Sequence, residues 1–173
     1  CKTGALTRRY VGTFYTTSTT ATEDSVAKRF LFNADNRCIR VMKAVEATAT
    51  WTYSTDAWRE SRGQTTNRLQ FLIGLSEDVV SARSFSTCFN NTGGVVQQTG
   101  IGADSTTVNS ALSGYFHSNS ANERVSNEAE LTIFPGIGFH FWSWLERVTA
   151  AGITTWKGRA TNEQEGIVGT VSA

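Results

Sequence analysis

From Ile39 to Tyr53 the chain alternates. Ile39, Val41, Val45, Ala47, Ala49, Trp51 and Tyr53 hold odd positions, and Arg40, Met42, Ala44, Glu46, Thr48, Thr50 and Thr52 lie between them. Neighbouring side chains of a strand point to opposite faces, so a period of two predicts a half-buried antiparallel strand pair with its apolar odd face inward. Lys43 interrupts that face and marks a bend. The same period recurs along most of the chain. Segments 10–15, 29–33, 68–75, 95–102, 111–117, 153–157 and 166–171 read as strands, with polar connections at 16–24, 54–67 and 118–128. Residues 76–92 fit either a strand or one helical turn around Asp78–Ala82. No long helical pattern separates these runs, which excludes a parallel βαβ sheet. No fixed repeat suggests a propeller or solenoid.

Composition agrees. Ser and Thr make up roughly a quarter of the residues, about twice ordinary usage, and Pro135 is the single proline. β-Branched and aromatic side chains pack well on a pleated surface. The expectation is an all-β, antiparallel β-sandwich, jelly-roll-like, with about eight to ten short strands. At 173 residues it forms one domain, residues 1–9 being an extended arm or the end of a linker. The chain starts at Cys1, which points to a fragment or a processed chain, with a lipid-bearing first residue as the alternative.

Segment 129–148 is unusual. Pro135 and Gly136 split it into two strands. Beyond the break, Ile137, Phe139, Phe141 and Leu145 point one way, and His140, Trp142 and Trp144 the other. A strand with one wet face would not carry large apolar groups on both. Either it is central and His140, Trp142 and Trp144 form a second core face, or those three meet a partner subunit.

Chemistry-bearing motifs are sparse. Net charge is +1, without the basic excess of a phosphate-binding protein, so nucleic acid is not expected as a partner, although Arg8, Arg9, Lys28 and Arg29 form a local basic patch. No apolar run nears the roughly 20 residues needed to span a bilayer. Cys1, Cys38 and Cys88 lack metal-ligand spacing, and one or two of them read as buried thiols. A Cys38–Cys88 bridge or an intermolecular bridge through Cys1 is the alternative. His117 reads as a surface residue and His140 as a hydrogen-bonded structural imidazole. Glu23–Asp24 and Glu77–Asp78 are adjacent pairs whose members face opposite ways, so neither supplies the facing carboxylates of a glycosidase. Gly74–Asp78 lacks the closing glycine of a nucleophile elbow, and Gly136-Ile137-Gly138 lacks the third glycine of a dinucleotide loop. Asn90-Asn91-Thr92 matches a glycosylation acceptor. No catalytic, metal or cofactor residue is picked out. Trp58, Arg59 and Arg62 are the candidate glycan or receptor contact, since an aromatic ring stacks on a sugar face and arginine reaches hydroxyls or carboxylates.

The segments RRYVGTFYTTSTTATEDSVAKRFLFNADNR, GIGFHFWSWLERVTAAGITTWKG and EGIVGTV resemble a family of mostly uncharacterised virion proteins of tailed bacteriophages. The resemblance runs from about Arg9 to Val171, in recurring phrases (Tyr-x-Gly-Thr-Phe, Lys-Arg-Phe, His-x-x-x-Trp-Leu-Glu, Thr-Thr-Trp) rather than a catalytic motif. It implies a compact jelly-roll head on the particle surface: a homotrimeric fibre head, or a capsid or neck decoration domain, bound to other virion proteins and in contact with the host surface. The starting cysteine and the lack of a fibre shaft depart from that pattern. A lectin-like carbohydrate-binding module is the alternative, and a polysaccharide-degrading enzyme a third reading.

Overall fold

The computed structural model describes residues 10–149, 151–158 and 164–172, and it is built almost entirely of strands. An N-terminal arm carries β1 (Gly12–Phe14), β2 (Thr16–Ser18), β3 (Ala21–Thr22), β4 (Lys28–Arg29) and β5 (Leu31–Asn33). The body carries β6 (Ile39–Val45), β7 (Thr50–Thr52), β8 (Arg59–Glu60), β9 (Arg68–Ile73), β10 (Val80–Asn90), β11 (Val96–Ala103), β12 (Leu112–Ser113), β13 (Tyr115–His117), β14 (Arg124–Ile133), β15 (Gly138–Val148), β16 (Thr154–Lys157) and β17 (Gly166–Ser172). Eight of these run four residues or more, and the other nine are pieces of two or three. Residues 1–9, with Cys1, Arg8 and Arg9, lie outside the described residues.

Two antiparallel sheets pack face to face. One runs β12–β14–β10. The far edge of β10 is long enough to take β17 along its first half and β16 along its second, with β6 beyond β17 and β7 beyond β16. The other runs β13–β11–β15–β9–β4, with β8 on β15 past the end of β9. Only the β4–β9 pair is parallel among the described strands. The inner faces meet over Met42, Ile167 and Val171 on one side and Leu69, Phe71, Ile73, Ile101, Trp142 and Trp144 on the other, all fully buried.

Trp142 and Trp144 therefore belong to the principal core, not to a subunit interface. The second face of β15 is covered only in part by this chain: Tyr15 stacks on Phe139 at 4.6 Å between centroids, Arg68 lies over Phe141 and Leu145 is buried, while Phe139 stays 36% and Ile137 68% exposed.

The face of 39–45 is a second correction. Met42 and Ala44 are buried, while Ile39 and Val41 are 79% and 61% exposed. Parity here is set by β17, whose inward Ile167, Gly169 and Val171 pair with Ala44, Met42 and Arg40, and a one-residue offset moves a whole strand to its other face. The connection at 46–49 resets the count, so Trp51 packs against the core again. The ambiguous stretch at 76–92 holds the long strand β10, and the tract at 16–24 folds as the exposed β2–β3 ribbon. Cys38 and Cys88 are not bridged, Cys38 lying at the surface and Cys88 in the core.

The arm docks through Phe32, which lies flat on Gly74: a Cβ there would meet the Phe32 ring at 2.1 Å. Gly74→Ala should cost about 1–3 kcal/mol, as overpacking typically does. Urea unfolding checks this, and an unchanged midpoint would contradict the docking.

Candidate functional site

The segment holding Trp58, Arg59 and Arg62 runs along β15. β8 pairs Arg59 with Glu146 and Glu60 with Leu145, placing Arg59 and Glu146 on the inner face and Glu60 on the outer. Glu146 is fully buried. Its Oε1 accepts from Arg59 Nε (2.8 Å) and from the backbone N–H of Arg62 (3.1 Å), and its Oε2 accepts from Trp51 Nε1 (2.7 Å). The Arg62 guanidinium donates to Glu46 Oε1 at 3.2 Å, and Asn67 Nδ2 donates to Glu46 Oε2 at 2.8 Å. Arg62 has φ of +58°, a left-handed conformation that costs a non-glycine residue strain. Its backbone N–H on Glu146 and its guanidinium on Glu46 hold it there. Arg59 also lies over the Tyr53 ring at 3.7 Å.

Both arginines picked out by sequence thus face inward partners. Trp58 is half-buried: it covers Gly100, where a Cβ would come within 3.0 Å of its ring, and Arg147 lies on its other side. It anchors a loop. On the outer face Glu60 takes two bonds from Arg68 and one from Ser143. His140 Nδ1 sits 2.7 Å from Asp104 Oδ2, and its Nε2 is 3.2 Å from the Gly136 carbonyl. His117 is exposed. Asn90 of the acceptor triplet is buried, donating to Ala151 O and Thr154 Oγ1, so it offers no accessible amide. Lys28 and Arg29 pair with Glu23 and Asp24.

The carboxylates differ in electrostatics. Burial pushes Glu146 up to about 7, against the pull of Arg59 and its other donors. Burial also acts on Glu46, but the bonds from Asn67 and Thr48 and the Arg62 charge outweigh it and hold Glu46 below its ordinary value. Burial pushes the Cys88 thiol well up, with Glu146 and Glu165 adding to it. Among the described residues no group of three or more His, Cys, Asp or Glu side chains could hold a metal ion, and no helix is long and apolar enough to cross a membrane.

Two surface features were not picked out by sequence reasoning. One is a hollow of about 470 Å³ beside the β1–β5 ribbon, lined among others by Phe14, Leu31, Asn33, Asn36 and Arg40. The other is the outer face of the first sheet, where pairing aligns Leu112, Glu130, Arg83, Val168 and Lys43 in one row. Its only sequence signal was the apolar odd face of 39–45, assigned to the wrong side. Glu146 had a clearer signal, as a lone acid in the apolar run FHFWSWLERV. No family model matches the chain, and no curated protein matches it.

A carboxyl with a raised folded value binds its proton more tightly when folded. The stability Glu146 contributes is therefore complete below its unfolded value of 4.5 and is lost as pH rises through about 7. Glu23 and Glu46, both lowered, act in the opposite sense at more acidic pH. Urea midpoints should fall between about pH 5 and about pH 8, and Glu146→Gln, neutral throughout, should flatten that slope. An equal slope in both proteins would assign it to another group.

Proposed function

We propose that this chain is a structural domain of a tailed-phage particle: a homotrimeric fibre head, or a capsid or neck decoration domain, contacting other virion proteins and the host surface. The observation that carries this reading is the outer face of the β12–β14–β10–β17–β6 sheet. Leu112 is 87% exposed there, and Ile39, Val41, Val168 and Phe85 accompany it. Hollows of about 250 and 190 Å³ are both lined by Val168 and Arg83. Exposed apolar side chains interleaved with charged ones across one sheet face suit an association surface. Burying each such group supplies about 1.5–3 kcal/mol, while Glu130, Arg83 and Lys43 set which surface fits.

The resemblance to phage virion proteins supports the same reading. Two of the segments that carry it meet in space: Tyr15 and Phe30 of the first both pack on Phe139 of the second, at 4.6 and 5.7 Å.

Light scattering at micromolar concentration should give three times the chain mass of 18.9 kDa. The double variant Val41→Lys, Val168→Lys should fall to one chain mass with its far-ultraviolet spectrum unchanged. A monomeric wild-type protein would overturn the assembly.

A further inference from the structure

We infer that the hollow beside the N-terminal ribbon binds a pyranose unit of a surface polysaccharide, an inference that rests on the host-facing reading above. The volume, about 470 Å³, lies within the roughly 300–1,000 Å³ of small-molecule sites. Its lining combines what a sugar ring requires. Pairing places Phe14 beside Leu31 and Gly12 beside Asn33, so these four share one face of the ribbon. Phe14 is 64% exposed and offers an aromatic surface to the C–H face of a pyranose, as aromatic rings do for apolar surfaces generally. Gly12 has no room for a side chain, since a Cβ there would meet the Phe32 carbonyl oxygen at 2.3 Å. The two strands of the ribbon therefore lie in close contact at that point.

The polar part is planar and held in place. Asn33 Oδ1 accepts the backbone N–H groups of Asp35 (3.0 Å) and Asn36 (3.3 Å), which fixes the amide plane and leaves its NH₂ as the remaining donor. Arg40 is tied to Asp24 at 2.7 Å. Asn36 stands on the same rim. Planar amides and a guanidinium present paired donors at the spacing of vicinal hydroxyls, or of a uronate carboxylate. Behind the hollow, Phe32 is buried against Gly74, so little ordering remains to be done on binding.

An array of bacterial capsular and O-antigen oligosaccharides, neutral and uronate-bearing, tests the site with the full chain. The wild type should bind at least one glycan. Phe14→Ala and Asn36→Ala should each weaken that binding by about tenfold or more, while Trp58→Ala leaves it unchanged. Phe14 and Asn36 are exposed, so melting temperatures should match the wild type. No bound glycan, or binding unchanged in both rim variants, overturns the inference. So does a Phe14→Ala protein that loses mass in light scattering but keeps its glycan signal, because the hollow is then a subunit contact. Wild-type trimers that bind no glycan would remove this inference and leave the assembly standing.

Discussion

Trp144 ties the two sheets together. Its ring is fully buried between them and meets Trp51 edge-on at 5.9 Å. Its indole N–H is shared by Ser86 Oγ of the first sheet, at 2.8 Å, and Thr99 Oγ1 of the second, at 3.0 Å. A buried N–H left without a partner would cost more than the bond gains, so this contact fixes how the sheets lie across each other. Trp142 and Phe71, edge-to-face at 5.4 Å, extend the same seam.

The polar cluster at the end of β15 depends on that seam. Trp51 is placed against Trp144 by the sheet packing, and its own N–H then reaches Glu146. Arg59 and the backbone of Arg62 complete the set, so one buried carboxylate organises the 53–62 connection. A buried charge is tolerated only where its partners are close and hydrogen-bonded. The positive φ of Arg62 is part of what that arrangement costs.

With these charges directed inward, the surface is left with a different character. Apolar groups lie outward along β12, β17 and β6, and on the β1–β5 ribbon. The first patch is broad and interleaves apolar with charged side chains, which suits a protein neighbour. The second is concave and rimmed with amides, which suits a small polar ligand. The two surfaces approach each other at the start of β6, where Arg40 lines the hollow and Ile39 and Val41 are exposed.

Much was legible from the chain alone. Period-two patterning and turn residues located β6, β9, β11, β15, β16 and β17, because alternation is a local property of a pleated backbone, while β10 stayed ambiguous and β14 begins inside the connection expected at 118–128. The two apolar faces of 137–145 implied a strand covered on both sides, and β15 is one from Phe141 onward, while Ile137 and Phe139 stay exposed. Three things depended on tertiary structure. Parity decides which side of a strand is inside, and for 39–45 it was set by β17, over a hundred residues away. The partners of Arg59 and Arg62 came from Glu146 and Glu46, and ion pairs of such sequence separation leave no local pattern. The ribbon hollow exists only because Asn33, Asn36 and Arg40 are folded against Phe14. Sequence by itself determined that the chain makes strands with two-sided character. The packing of one sheet on the other decided which faces are core and which remain open to a partner, since burial depends on neighbours that no single strand encodes.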